Sequence, residues 1–106
     1  MEYEVDFSPD ARTDLFDIYY YVAVNDSLER ADKLRNRLFE IALSLSRYPF
    51  RGHKVAELKD AQRNILELTS APYKVIYEVT NNNVTVLCVL DGRRNLQDLL
   101  KERLLR

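Results

Sequence analysis

The sequence predicts an α+β domain, in which helices and strands occupy different parts of the chain. Two helical patterns follow a short N-terminal strand, and runs rich in valine, isoleucine, leucine and tyrosine fill residues 65–90. The 106 residues contain only two glycines and three prolines. Because this is the length of one typical domain, we expect a single domain, residues 1–106, with most of the chain in regular structure.

The first two predicted elements are a strand and a helix. In the strand, Glu2–Phe7, apolar residues alternate with acidic ones, which is typical of a strand with one buried face. Ser8 can cap a helix and Pro9 suits its first position. We expect Arg12, Asp14 and Asp17 to face away from the core. The predicted buried stripe of this helix comprises Ala11, Leu15, Ile18 and Val22.

A second helix follows a short interruption at residues 25–27, where Ser27 offers a new cap. Two amphipathic helices joined by so short a link predict an antiparallel helical hairpin. Pro49 ends the second helix, because proline lacks the N–H that a helix interior needs. The apolar stripe of this helix comprises Ala31, Leu34, Leu38, Ile41 and Leu45.

Three strands and a short helix are predicted in the second half of the chain. The strands are 65–68, 73–79 and 84–90, and asparagines at 81–83 favour a tight turn between the last two. They form an antiparallel β-meander, with Val84–Leu90 covered on both faces and Cys88 as a core residue. Asn95 and Asp98 are spaced to cap a C-terminal helix with Leu96, Leu99 and Leu100 on its apolar side.

Composition excludes several classes of protein. One cysteine rules out a disulfide scaffold, and a single histidine, His53, rules out a zinc site built from Cys and His. We therefore expect no metal and no cofactor, and interpret His53 as a surface loop residue. No apolar run approaches the roughly 20 residues that span a bilayer, and the acidic start is unlike a signal peptide. We expect a cytoplasmic protein.

Charge is distributed unevenly although the net charge is only −1. Acidic residues prevail in residues 1–40, and basic residues prevail in 41–74 and 93–106. Proteins that bind RNA or duplex DNA directly usually carry a strong basic excess, which is missing here. We therefore expect no direct nucleic-acid binding outside a complex with a partner protein.

Four local patterns together resemble the RelE/ParE toxin superfamily of bacterial toxin–antitoxin modules. The resemblance covers nearly the whole chain and runs in the order expected for that superfamily. It implies a small intracellular toxin that is held inactive by the C-terminal segment of a partner antitoxin. The patterns are Phe7–Leu15 with Ile18 and Tyr21, Tyr48–Gly52, Tyr73–Tyr77, and Val89–Leu96.

The superfamily contains two activities, messenger-RNA cleavage on the ribosome (RelE-like) and inhibition of DNA gyrase by contact (ParE-like). A metal-free ribonuclease needs a base, an acid and cations in one cleft. Residues 91–106 lack the terminal tyrosine or histidine common in RelE-like enzymes, and Asp91 replaces their frequent histidine. RelE-like enzymes often have an arginine that opens the strand before the one containing Tyr73, and the Ile65–Leu66 region replaces it here. The residues available to a nuclease are Lys54, Arg63, Lys74, Tyr77, Arg93 and Arg94.

The favoured hypothesis is therefore a ParE-like, non-catalytic toxin that binds gyrase. Arg93, Arg94 and Asn95 are the predicted target contacts, since a guanidinium suits carboxylates or phosphates on a partner. Alternatively, one of these arginines pairs with Glu67 or Glu78. A domain without toxicity that serves as an interaction module is the third hypothesis.

The antitoxin is expected to bind an apolar face of the sheet that the helical hairpin leaves open. A disordered antitoxin tail would fold over this face, and its acidic residues would meet the basic stretch 47–63. The predicted antitoxin contacts are Arg47, Arg51, Lys54, Arg63, Tyr73, Val75, Leu96, Leu99 and Leu100.

Overall fold

The computed structural model describes residues 2–55 and 63–104, and it confirms the α+β fold. A strand, two helices, four further strands and a short helix follow one another along the chain. Their bounds are β1 (Glu4–Phe7), α1 (Pro9–Asn25), α2 (Leu28–Ser44), β2 (His53–Lys54), β3 (Ile65–Ser70), β4 (Tyr73–Thr80), β5 (Asn83–Asp91) and α3 (Leu96–Leu104).

The predicted starts of the helices are confirmed. The Ser8 hydroxyl accepts a hydrogen bond from the Ala11 N–H at 3.1 Å, and the Ser27 hydroxyl accepts one from the Arg30 N–H at the same distance. Each bond satisfies a donor that the first helical turn would otherwise leave unpaired. Asn95 caps α3 in the same way, with its side-chain oxygen 3.3 Å from the Asp98 nitrogen.

The five strands form one mixed sheet in the order β1-β5-β4-β3-β2. The last four strands form the predicted antiparallel meander plus a short edge, whereas β1 lies parallel to β5, with Val5 opposite Val84. Asn81 has a φ of 47° in the tight turn between β4 and β5, as the asparagine run predicted. The interpretation of His53 as a loop residue is wrong, since it pairs with Glu67 in β2 and is exposed there.

Hydrophobic side chains cover both faces of the sheet. One face packs against α1 and α2, whose Ala11 and Leu38 lie in a cluster with Val75, Tyr77 and Val86. The other face packs against α3 through a second set of buried residues. These are Val55, Ile65, Ile76, Cys88, Leu90, Leu96 and Leu100.

The second cluster corrects one expectation. Leu96 and Leu100 fill the chain's own core, and Val75 is buried under the helical hairpin. The prediction of an open sheet face that awaits a partner is wrong, because α3 folds back over that face. Cys88 is a core residue as expected, and burial raises the pKa of its thiol to about 12.

A β-bulge in β5 switches the faces of its residues: Val84 and Val86 before it lie in the first cluster, whereas Cys88 and Leu90 after it lie in the second. Ile76 pairs with Cys88 whereas Tyr77 pairs with Val86, so Leu87 is an extra residue in β5. Its carbonyl accepts a hydrogen bond from the Ser8 hydroxyl at 2.8 Å. The start of α1 is thereby fixed to the irregular point of the central strand.

Asp14 departs most from the sequence prediction. It was expected to face solvent but is buried, and one carboxylate oxygen accepts a hydrogen bond from the Val89 N–H at 2.9 Å. The Arg103 guanidinium donates to both carboxylate oxygens, at 2.8 and 3.1 Å. One carboxylate therefore joins α1, β5 and α3.

Candidate functional site

The residues available to a nuclease do not form one catalytic cleft. Arg63 donates to both carboxylate oxygens of Glu78, at 2.8 and 2.9 Å, which raises the pKa of Arg63 and lowers that of Glu78. The Lys74 ammonium lies 3.0 Å from a Glu67 oxygen. Each of these two cations is thus neutralised within the sheet rather than directed at an external phosphate.

Tyr77 is also poorly placed for acid–base chemistry. Its side chain is fully buried, and its hydroxyl oxygen accepts a hydrogen bond from the Gly52 N–H at 3.0 Å. Burial raises the pKa of Tyr77, which disfavours the phenolate that a general base would need. Lys54 is exposed on the edge strand β2.

The turn between β5 and α3 holds the three predicted target contacts. Arg93 lies against Asp91, with its Nε 3.0 Å from one carboxylate oxygen and its Nη2 2.7 Å from the other. The alternative pairing of Arg93 or Arg94 with Glu67 or Glu78 is not observed, since those carboxylates bind Lys74 and Arg63, and Arg93 pairs with Asp91 instead. Asp91 is therefore the counterion of Arg93 within this turn.

Arg94 and Asn95 differ from Arg93 in what their side chains do. The Asn95 amide caps α3 and also lies 3.1 Å from an Asp98 carboxylate oxygen. The Arg94 guanidinium has no hydrogen bond or ion pair within residues 2–55 and 63–104. Of the three predicted target contacts, Arg94 is therefore the one with a free charged group.

Arg94 borders a polar cleft of about 340 Å³ between α1, β5 and the turn that leads to α3, with Arg103 of α3 also in its lining. Tyr21 and Tyr73 line this cleft, together with Arg93. Burial and the nearby Asp91 carboxylate raise the pKa of Tyr73, so its hydroxyl stays protonated and able to donate at neutral pH. The cleft thus holds a free guanidinium and two phenol groups, together with the carboxylates of Asp14, Asp17 and Asp91.

The Asp91–Arg93 pair makes a measurable prediction about pH. Hydrogen bonds from the Arg93 side chain and N–H lower the pKa of Asp91 to about 2, below its ordinary value of 3.8. Since the folded-state pKa is depressed, the turn keeps this pair above pH 4 and loses it as the pH falls towards 2. We expect Arg93→Ala, which removes the side-chain hydrogen bonds but keeps the backbone N–H bond, to raise the pKa of Asp91 part of the way back towards 3.8, measured by NMR titration of the carboxyl carbon.

Arg94→Ala is the matched control for this titration. The Arg94 side chain acts on the Asp91 carboxylate only through its charge, whereas the Arg93 side chain donates hydrogen bonds to it. The control should therefore raise the pKa of Asp91 much less than Arg93→Ala does. Equal shifts in the two variants would contradict the hydrogen-bonded geometry of the turn.

A second candidate surface lies on the outside of the helical hairpin and was missed in the sequence. We call it the hairpin groove: it measures about 540 Å³ and lies between β1, α1 and α2. Arg12 and Arg35 border it. Its apolar walls are Phe7, Leu15, Phe16, Tyr19 and Phe39.

The hairpin groove continues into an exposed apolar stripe along α1, formed by Phe16, Tyr20 and Val24. These side chains are 66, 61 and 63% exposed, and the Phe16 and Tyr20 rings stack with centroids 6.3 Å apart. The spacing of four residues was the available signal, because it places three apolar residues outside the buried stripe of α1. An exposed apolar surface of this kind marks a binding site more often than an accident of composition.

The model of the family described as "ParE toxin of type II toxin-antitoxin system, parDE" matches residues 5–96. The chain belongs to the ParE toxin family. It is therefore a toxin of the type II toxin–antitoxin class, as the resemblance to the RelE/ParE superfamily predicted. Toxin ParE3 of Caulobacter vibrioides is 29% identical over 83 residues, which are 78% of this chain and 80% of the relative.

Two solved structures show that the ParE-family chain shares the fold of the superfamily. One is described as the chromosomal ParDE system from P. aeruginosa, with a TM-score of 0.68, 19% identity and coverage of 83% of this chain and 94% of that one. The other is the RelBE2 toxin–antitoxin complex of Mycobacterium tuberculosis. It has a TM-score of 0.64, 21% identity and coverage of 86% and 92%, respectively.

The basic residues expected to meet an acidic antitoxin are dispersed over this ParE-family fold. Arg47 pairs with Glu2, and Arg51 donates to the Ser44 hydroxyl. Arg63 pairs with Glu78, and residues 56–62 of the predicted basic stretch lie outside the described residues. Tyr73 and Leu99 are partly buried. The predicted basic contacts are thus largely occupied by partners within the chain.

Within residues 2–55 and 63–104 the ParE-family fold has no cluster of three His, Cys, Asp or Glu residues suited to a metal ion. The same part of the chain contains no helix that is long and apolar enough to cross a membrane.

Proposed function

We propose that this ParE-family toxin inhibits DNA gyrase by direct binding, and that a cognate antitoxin neutralises it. No covalent chemistry is required of the protein in this proposal. Membership of the ParE family supports the toxin role and the existence of an antitoxin partner.

The observation that carries the choice of a binding mechanism is the state of the nuclease candidates. Arg63, Lys74 and Arg93 are paired with carboxylates, and Tyr77 is buried with a raised pKa. A phosphodiester would have to break these ion pairs before any of the three cations could stabilise its charge. Inhibition by contact needs none of these rearrangements.

The polar cleft beside Arg94 is the target contact in this proposal. Its free guanidinium suits a carboxylate or phosphate of the target, and the phenol groups of Tyr21 and Tyr73 and the Asp17 carboxylate, which also line the cleft, can bind neighbouring polar groups. The Asp91–Arg93 pair holds the turn in place, because both its backbone and its side chain are bound there. The target thus meets an ordered turn, and the main ordering cost on binding is that of the Arg94 side chain.

A gyrase supercoiling assay with purified toxin tests the proposal. We expect wild-type protein to block negative supercoiling, and Arg94→Glu to raise the half-inhibitory concentration at least about tenfold, because it sets a like charge against the target. Lys101→Glu, an exposed change of equal charge on α3, should stay within about threefold of wild type.

Two outcomes would refute parts of the proposal. Unimpaired supercoiling at a molar excess of wild-type toxin excludes gyrase as the target. Induction of the toxin in cells separates the remaining alternatives. New messenger-RNA ends, found by transcript mapping, indicate a RelE-like nuclease, whereas an unchanged growth rate indicates a domain without toxicity.

A further inference from the structure

A second cavity lies beside the polar cleft, on the side of α2. It measures about 560 Å³ and lies between the end of α1, the N-terminal part of α2 and the turn between β3 and β4. Tyr73 lines both cavities, so the two surfaces are continuous. The lining of the second cavity consists of Val22, Asp26, Arg30, Lys33, Leu34, Arg37, Pro72 and Tyr73.

Three cations of α2 make the second cavity positive. Arg30, Lys33 and Arg37 are three and four residues apart, so they lie on one face of the helix. Arg30 pairs with Asp26 of the same cavity, whereas Lys33 pairs with Glu29, which is not part of the lining. The Arg37 guanidinium has no hydrogen bond or ion pair within residues 2–55 and 63–104. The cavity therefore carries more positive than negative charge.

Arg94 extends this positive surface on the other side of the boundary between the two cavities. Burial raises the pKa of Tyr73, and the charges of Arg93 and Arg37, one from each cavity, oppose this rise. Cations of both cavities thus lie close enough to the Tyr73 hydroxyl to act on it. We call the shared surface the cationic band and define it as Tyr21, Lys33, Arg37, Tyr73 and Arg94.

Most carboxylates that border the cationic band are already neutralised. Asp14, Asp26 and Asp91 each pair with an arginine that lines the same cavity. Asp17 is the one lining carboxylate without a partner among the residues that the structure describes. It is outweighed by the cations of the band. The band therefore favours an anionic ligand although the net charge of the whole chain is −1.

The cationic band suits the phosphates of a nucleic acid better than an acidic protein surface. Protein interfaces depend on apolar and aromatic side chains at their centre. Of the described large apolar side chains that are more than half exposed, only Tyr21 belongs to the band, and it ends in a hydroxyl. Arg, Lys and Tyr side chains are among those that bind the phosphate oxygens of DNA. These are the residue types of the band.

The small number of cations limits how strongly the band can bind DNA. Lys33, Arg37 and Arg94 contact about three phosphates at most, and the affinity of such a site grows with the number of phosphates neutralised. We therefore expect a stable contact only with DNA that the toxin's target already holds. Gyrase is such a target, because it binds duplex DNA in order to change its supercoiling.

We propose that the cationic band binds the phosphate backbone of the DNA held by gyrase, so that the toxin contacts the enzyme and its DNA together. The inference rests on the proposed function and deepens it, because Arg94 belongs to the target contact proposed there. Lys33 and Arg37 bind further phosphates of the same duplex. A toxin that contacts both partners binds the DNA-loaded enzyme more tightly than the free enzyme.

The test measures the dissociation constant of the toxin from immobilised gyrase by biolayer interferometry, without DNA and with a linear duplex. For wild-type toxin we expect the duplex to lower this constant at least about tenfold. The double variant K33Q/R37Q should lose most of this gain but stay within about twofold of wild type on DNA-free gyrase. With DNA present, its plot of log affinity against log salt should be shallower by about 2.

The double variant K54Q/K101Q is the matched control. It removes the same charge from two exposed lysines, on β2 and α3, which line neither cavity. It should keep the full gain and the salt dependence of the wild type. Lys33 and Arg37 are also exposed, so both double variants should remain folded, which circular dichroism checks.

The possible failures are distinguishable. If DNA leaves the affinity of the wild type for gyrase unchanged, the inference is wrong and the proposed function still stands. If K33Q/R37Q weakens binding equally with and without DNA, the band contacts acidic residues of gyrase itself, which also overturns the inference. Equal losses in K33Q/R37Q and K54Q/K101Q would show that overall charge, not the band, is responsible. If the wild type binds gyrase in neither state, the proposed function fails, and this inference fails with it.

Discussion

Gly52→Ala should destabilise the protein by about 3 kcal/mol, because there is no room for a Cβ atom at this position. An added Cβ would lie 2.6 Å from the Glu67 carbonyl oxygen and 2.6 Å from the Tyr77 hydroxyl. The Gly52 N–H also donates to that hydroxyl, so any shift that relieves the contact weakens a buried hydrogen bond. Urea unfolding followed by circular dichroism measures the effect.

Gly92→Ala provides the comparison for this prediction. Its added Cβ would lie 3.1 Å from the Pro72 carbonyl oxygen and 3.4 Å from carbons of the flexible Lys74 side chain. Neither glycine has a positive φ, so conformational freedom does not distinguish them. We expect Gly92→Ala to change stability by less than about 1 kcal/mol. Equal losses in the two variants would show that lack of space at Gly52 is not the cause.

Arg103→Met should cost about 2 to 4 kcal/mol, because it leaves the buried Asp14 carboxylate without its counterion. The Arg103 side chain is 24% exposed and that of Asp14 only 8%, so solvent compensates little of the loss. Asp14→Ala should cost at least as much, since it removes the acceptor of the Val89 N–H as well. Denaturant unfolding of the two single variants and the double variant gives the coupling energy between them.

The exposed Arg47–Glu2 ion pair is the control for the variants of the buried Arg103–Asp14 pair. Its N–O distance is 3.2 Å, but its side chains are 72 and 65% exposed. Exposed ion pairs contribute little to stability, so Arg47→Met should cost less than about 1 kcal/mol. The proposed role of Asp14 would be disproved if Arg103→Met and Arg47→Met were equally mild.

Local patterns were sufficient to predict most of the fold. Ser8, Ser27 and Asn95 mark the starts of helices because a helix cap depends only on residues within one turn. The apolar run 84–90 indicated a strand covered on both faces, and β5 lies between β1 and β4 with side chains in both core clusters. Here the local preference and the tertiary structure agree.

Non-local pairing was beyond the reach of those patterns. Asp14 resembles any polar residue on the outer face of a helix until Arg103, 89 positions away, is placed beside it. The two-residue strand β2 is too short to show an alternating pattern. Leu96 and Leu100 were recognised as apolar anchors, but the sequence does not say that the chain itself supplies the surface they bury.

The sequence predicted one part of the candidate site, the turn at 91–95, but not the hairpin groove. The turn at 91–95 was recognised from its arginines, but the occupation of Arg93 by Asp91 depends on backbone geometry that the sequence does not reveal. The hairpin groove was not predicted, because Phe16 and Tyr20 lie outside the apolar stripe of α1 that faces the core. An apolar residue outside a satisfied stripe is the useful sign in such helices.

Contacts between the two ends of the chain also affect when the toxin can fold during synthesis. β1 needs β5 as its partner, and Asp14 needs Val89 and Arg103. A ribosome must therefore translate the chain as far as Arg103 before both the sheet edge and the buried ion pair can form. Polypeptides that end before β5 lack both of these contacts, so we expect them not to fold.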